Sequence, residues 1–238
     1  VNTNNEYNLT KADATKPVYS ITPFTLLDYP HKTACILWFA GCNMKCVYCY
    51  NPDIVFGKGK ISISEVLNFL NRRKSLLDGV VLSGGECTSH KNIRQLLQEI
   101  KKLGFLVKID TNGSNPEKLI NLINENLVDY VALDFKSTKE KFNEITKSNL
   151  FSEFEKTLNY LVKSKFPFEV RTTVHSELLN LEDLQSMTEK LENSGYRGKY
   201  YLQYYLNDVM SIGNISNTKR NYINTESIQT KLEVVIRN

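Results

Sequence analysis

The sequence predicts an α/β fold, a partial (β/α)6 TIM-like barrel with helices on the outside of an open parallel sheet. Three observations carry that prediction. Short apolar runs alternate six times with segments of helical periodicity. The runs are close to continuous in apolar residues, as strands covered on both faces read. Six units, rather than the eight of a closed barrel, leave one side open. A doubly wound open sheet is the alternative that the same alternation allows. With 238 residues, 41% hydrophobic and 24% charged, the chain can bury one substantial core and demands no second one.

The first strand is "TACILWFAG" (33–41), stopped by Gly41, and a cysteine-rich loop runs from it to about residue 60. Ser62 and Glu65 then form a capping box ahead of Ile63, Val66, Leu67 and Leu70 at helical spacing. "GVVLS" (79–83) is the second strand and "GGECTSH" its loop. Ile93, Leu96, Leu97, Ile100 and Leu103 mark a helix face that Gly104 ends. "FLVKID" (105–110) is the third strand; after the turn "TNGS", Asn115 and Pro116 supply an N-cap and a first-turn proline. "DYVALDF" (129–135) is the fourth, with Phe154, Leu158 and Leu161 on the returning helix. "FEVRTTV" (168–174) is the fifth, followed by a helix from Asn180 carrying Leu181, Leu184, Met187 and Leu191. "KYYLQYY" (199–205) is the sixth. The organisation that follows is a polar N-terminal arm over 1–17, a domain over 18–205, and a polar C-terminal extension over 206–238 with a strand-like end.

The net charge of +4 is spread as lysines among glutamates on helix surfaces, without a basic run interleaved with aromatics, so no nucleic-acid partner is expected. No apolar stretch reaches the roughly 18 residues of a membrane span, and the polar start has no signal-peptide core. Five cysteines, three of them clustered, are unlike a secreted disulfide framework. The chain therefore reads as cytoplasmic, with no membrane partner and with cysteines used for metal or redox chemistry.

"CNMKCVYC" (42–49) places Cys42, Cys46 and Cys49 at gaps that let three thiolates gather around one centre. Structural zinc wants four closed ligands, and no second pair is present: Cys35 sits in the first strand, Cys87 in a later loop, and His31, His90 and His175 show no paired spacing. An iron-sulfur cubane held by three cysteines leaves one iron open for a substrate or cosubstrate. Zinc, an open-iron cluster and a group of buried thiols all remain on the table at this point, the cubane favoured by the spacing.

"GCNMKCVYCYNPD" resembles the cluster loop of the radical S-adenosylmethionine (SAM) superfamily, with Tyr48 as the aromatic before the third cysteine. The resemblance implies a barrel of the radical SAM type and a [4Fe-4S] cluster on Cys42, Cys46 and Cys49, its unique iron chelated by SAM, with Tyr48 near the adenine. Gly84, Gly85 and Glu86 resemble the family's GGE motif, which binds the methionine amino group; read from the residues, the glycines allow close backbone approach and Glu86 can accept from a cation. "DTNG" (110–113) and "LDFK" (133–136) resemble the branch that activates glycyl radical enzymes. There Asp110, Thr111 and Asp134 would be polar or monovalent-cation-binding groups, and Lys136 would approach the SAM carboxylate. Arg171 has a similar counterpart touching SAM. A structural Asp–Lys network and a barrel-lining salt bridge are the plainer readings of the same residues. Every candidate lies at or beyond a predicted strand's C-terminal end, where parallel α/β folds place their sites.

The resemblance runs over roughly residues 18–205 and is closest to the compact activators of anaerobic ribonucleoside-triphosphate reductase, whose opening "SITPFTLLDYPHKTACILWFAGCNMKCVYCYNPD" resembles; too few residues separate Cys49 from the next helix for the ferredoxin-like insert of other activators. It implies that a low-potential donor such as flavodoxin or ferredoxin supplies an electron. SAM is then cleaved to methionine and a 5′-deoxyadenosyl radical, which takes hydrogen from a glycine of the partner reductase. No side-chain nucleophile or general base is required. Tyr50, Cys87 and Tyr205 depart from the family's usual histidine, proline and histidine. The rivals are a pyruvate formate-lyase activator, an enzyme of the 7-carboxy-7-deazaguanine synthase type, and a noncatalytic zinc or iron-sulfur module.

Overall fold

The computed structural model describes residues 16–219 and 222–237; apart from Lys16 and Pro17, the predicted arm lies outside them. Eight strands form one sheet in sequence order: β1 (Val18–Thr25), β2 (Ala34–Phe39), β3 (Gly79–Gly84), β4 (Leu106–Thr111), β5 (Tyr130–Asp134), β6 (Phe168–Val174), β7 (Tyr200–Tyr204) and β8 (Val234–Arg237). All neighbours are parallel except β1 and β2. The order never reverses, so the sheet has no switch point; this separates a barrel-type sheet from a doubly wound one.

The six predicted strands are β2 to β7, and two more extend the sheet at its edges. β1 carries Pro23, which costs a ladder hydrogen bond and is tolerated on an edge strand; the register slips between Thr22 and Thr25 around it. β8 runs parallel to β7, so the polar stretch after Tyr205 returns to the sheet.

Around the sheet lie α1 (Pro52–Phe56), α2 (Ile63–Asn71), α3 (Ile93–Lys102), α4 (Pro116–Asn124), α5 (Lys139–Thr146), α6 (Phe151–Lys163) and α7 (Leu181–Ser194). Both halves of the Ser62/Glu65 capping box form at α2, and an Asn180/Asp183 box opens α7. Gly104 follows α3 at φ +90°, the left-handed stop that glycine adopts without strain. Asn115 differs from expectation. It stands at the N-cap position of α4 without capping it, and its Nδ2 donates instead to Thr88 Oγ1 (2.8 Å) and Ser89 Oγ (3.2 Å).

Strand alternation sorts the side chains into two layers. Leu37, Leu82, Val107, Ile109, Leu133 and Val170 join the helix side chains in the main core. The alternate residues point inward: Ile36, Val81, Lys108 and Tyr130 share one row of the register. Towards the C-terminal mouth that inner face becomes polar, with Ser83, Asp110, Asp134, Arg171 and Gln203.

Candidate functional site

The cysteine loop begins where β2 ends and is held from two sides by backbone hydrogen bonds. Lys45 N and Val47 N donate to Thr146 O and Ile145 O at the end of α5 (2.8 and 2.9 Å). From the other side, Ile212 N and Gly213 N donate to Cys49 O and Val47 O (2.9 and 2.8 Å). A Cβ on Gly213 would stand 2.7 Å from Val47 Cβ, so this strap needs glycine for its close approach.

The segment Gly84–Glu86 packs against the start of the same loop. Gly85 N donates to Phe39 O (2.8 Å) and Glu86 N to Gly41 O (2.9 Å). A Cβ on Gly85 would lie 1.9 Å from Gly41 O, and one on Gly84, itself at φ +105°, 2.8 Å from Phe39 N. Both glycines are thus demanded by the backbone of residues 38–41, a packing reason beyond the close approach to a ligand expected from the sequence. Glu86 is 1% exposed and accepts from Thr88 N (3.1 Å), Thr88 Oγ1 (2.6 Å), Thr111 Oγ1 (2.9 Å) and Asn112 N (2.8 Å). Burial pushes its carboxyl above the ordinary range, against these four donors. The side chain ties the loop after β3 to the end of β4, a role that the sequence did not show.

Asp110, Asp134, Lys136 and Arg171 form one charged network. Arg171 Nε and Nη2 donate to Asp134 Oδ1 (3.1 and 2.9 Å), and Nη1 reaches Asp110 Oδ2 (3.4 Å). Lys136 Nζ donates to Asp134 Oδ2 (3.0 Å) and stands 5.9 Å from the centre of the Tyr48 ring. Burial alone would raise the Asp134 carboxyl; Lys136 and Arg171 hold it down at about 2. Asp110 is likewise lowered, by Arg171 and Lys108 against its burial.

These groups and the three cysteines line one cavity of about 260 Å³ at the C-terminal mouth of the strands. Every predicted site residue lines it: Cys42, Cys46, Tyr48, Cys49, Gly84, Gly85, Glu86, Asp110, Thr111, Asp134, Lys136 and Arg171. Trp38, Ser83, Thr173 and Gln203 also line it and were missed, because only the register shows which alternate strand residues face inward; Met44 and Asn112 join them from the loops after β2 and β4. A larger hollow of about 500 Å³ lies outside the barrel among α5, α6 and α7, and no cysteine reaches it.

The donor set suits a cluster with cosubstrate. All five cysteines are free thiols; Cys42, Cys46 and Cys49 face the cavity, while Cys35 and Cys87 are buried away from it. Burial raises the Cys42 thiol to about 11 and the Cys46 thiol in the same direction, so their ligating thiolate forms need a metal's charge. Among the described residues no three His, Cys, Asp or Glu side chains gather as ligands for one metal ion. A cubane asks for something else, since each cysteine binds a different iron. Tyr48 lines the cavity, while its hydroxyl is buried without a hydrogen-bond partner among the described residues.

A family model described as the Radical SAM superfamily matches residues 36–191. A protein of Methanocaldococcus jannaschii named as a glycyl-radical enzyme activating enzyme is 32% identical over 183 residues, covering 74% of this chain and 75% of that one. The pyruvate formate-lyase-activating enzyme of Clostridium pasteurianum is 32% identical over 129 residues, 50% of this chain and 52% of its own. Among solved structures, SuiB of Streptococcus suis bound to S-adenosylmethionine matches with a TM-score of 0.65 at 14% identity, covering 83% of this chain and 48% of that one, which shows a shared fold. This chain therefore spans about half the length of SuiB.

Proposed function

Since the chain belongs to the radical SAM superfamily, we propose that it is an activating enzyme that installs a glycyl radical on anaerobic ribonucleoside-triphosphate reductase. The observation that carries this reading is the meeting, in one cavity, of three free thiols with the Asp110, Asp134, Lys136 and Arg171 network. The kinship with named glycyl-radical activators supports the reaction type.

Cys42, Cys46 and Cys49 would hold the [4Fe-4S] cluster, which when bound supplies the low-potential electron for reductive cleavage of SAM. The protein's own part is binding, orientation and exclusion of water. Arg171 and Lys136 present cationic hydrogen-bond donors at the cavity wall, suited to a carboxylate. Tyr48 offers an aromatic ring at the cavity wall, suited to packing near an adenine. The electron would come from a flavodoxin or ferredoxin.

The reductase as partner is supported by the compactness of the stretch after Cys49, where only α1 and a short link precede α2. The match to a pyruvate formate-lyase-activating enzyme favours a second reading, with that lyase as partner. Anaerobic mixing of the cluster-loaded protein and SAM with each candidate partner, followed by electron paramagnetic resonance, separates the two. A glycyl doublet with the reductase supports the proposal. A doublet with the lyase alone replaces the partner, and SAM cleavage with no doublet on any partner defeats the activating role.

A further inference from the structure

By resemblance Asp110, Thr111 and Asp134 would surround a monovalent cation, but the structure gives each of their oxygens another partner. Asp110 Oδ1 is bound by Lys108 Nζ, and Oδ2 by Ser83 Oγ (3.0 Å) and Arg171 Nη1 (3.4 Å). Asp134 Oδ1 takes Arg171 and Oδ2 takes Lys136. The hydroxyl of Thr111 donates to Glu86 and accepts from Gly113 N (3.1 Å). Hard cations are held through oxygen ligands, and every one of these oxygens already has a side-chain or backbone donor. Charge gives the same answer: two carboxylates, Asp110 and Asp134, stand among three cationic side chains, Lys108, Lys136 and Arg171. Lys108 is the unexpected member. It is 1% exposed, and β4 alternation turns it to the inner face directly below Asp110.

We infer that Lys108 is this chain's built-in counter-cation for Asp110, taking the place of a free sodium or potassium ion. An ammonium so deep in the barrel is kept only with a carboxylate to meet it, and removing one partner leaves the other buried and uncompensated. Loss of Lys108 should therefore create a seat for an external cation at Asp110. The inference deepens the proposed function, on which it rests for the use of the cavity, but its test needs neither cluster nor cosubstrate.

The test is a sodium-23 relaxation titration of the full chain, with choline chloride holding ionic strength and potassium as competitor. The wild type should show no saturable site, whereas Lys108→Met should gain one that potassium displaces and that a further Asp110→Asn change abolishes. The melting temperature of Lys108→Met should rise with potassium, while that of Lys108→Arg stays indifferent. A saturable site in the wild type that Asp110→Asn removes overturns the inference, and so does a folded Lys108→Met that gains none. If Lys108→Met does not fold, the wild-type titration decides alone. Failure of SAM to bind or be cleaved would count against the proposed function and leave this result standing.

Discussion

Arg171 grips Asp134 through two nitrogens on a single carboxylate oxygen, Nε at 3.1 Å and Nη2 at 2.9 Å, and has its remaining nitrogen over for Asp110 at 3.4 Å. One planar guanidinium thus spans the ends of β4 and β5, which a lysine's single ammonium cannot do. Arg171→Lys is expected to weaken SAM binding about tenfold, the loss of one charge-assisted contact, as read by calorimetry on cluster-loaded protein. Arg171→Met should lower the unfolding free energy by roughly 2 kcal/mol. That is less than the roughly 3–5 kcal/mol for a fully orphaned buried charge, because Lys108 and Lys136 stay with the two carboxylates.

Gly85 and Gly104 make a contrasting pair. A methyl group on Gly85 meets Gly41 O at 1.9 Å, whereas one on Gly104 meets nothing within 4 Å. Gly104→Ala should therefore cost only the strain of a left-handed alanine, about 1 kcal/mol. Gly85→Ala must push β2 and β3 apart at the root of the cysteine loop and should cost upwards of about 3 kcal/mol. Urea midpoints of the two variants measure the difference, and equal midpoints would refute the packing role given to Gly85.

Removal of any one of Cys42, Cys46 and Cys49 should abolish the visible absorbance of the reconstituted cluster. Cys87→Ala should leave it intact, since the Cys87 thiol lies against Leu82 O and Asp110 O, with burial holding it well above its ordinary value. Cys35→Ala should behave likewise, its thiol being raised by burial to about 12 on the helix-facing side of β2. Iron content per chain is the readout, and dependence of iron binding on Cys87 would mean that the ligand set is misassigned.

His90 makes stability depend on pH near neutrality. Its Nε2 lies 2.8 Å from Ala40 O, and burial lowers its pKa below the ordinary value. The unfolded chain therefore takes up the proton first. Stability should be full above the unfolded value of about 6.5 and fall as pH drops through it, until the lowered folded value is passed. Urea midpoints between pH 8 and 5 should slope downward for the wild type, and the part of the slope due to this residue should vanish in His90→Gln.

The central strands were legible because strands covered on both faces leave unbroken apolar runs, and the runs at 79–83 and 168–174 fall within a residue of β3 and β6. β1 was not legible, since Pro23 argues against a strand unless it is known to lie at an edge. α1 has only five residues, too few for a periodic face, and α5 is mostly polar. At the site, "CNMKCVYC" and the strand-end motifs announced themselves by residue type. Lys108 did not: a lysine inside "FLVKID" reads as a solvent-facing position, and only the curl of the sheet makes that side an interior. Nor could the sequence pair Gly85 with Gly41, or Ile212 with Cys49, contacts made between segments far apart in the chain.

The strap over the cysteine loop fixes an order of events at the ribosome. Cys49 leaves the ribosome 163 residues ahead of Ile212 (212 − 49), whose amide, with that of Gly213, fastens the loop's outer lip. A nascent chain consequently displays its three thiols on a ledge bolted along one side only, open to an iron donor until translation delivers the last fastening. A chain ending before Ile212 would keep the contacts of the loop with α5 and lose both amides of the strap, together with β8.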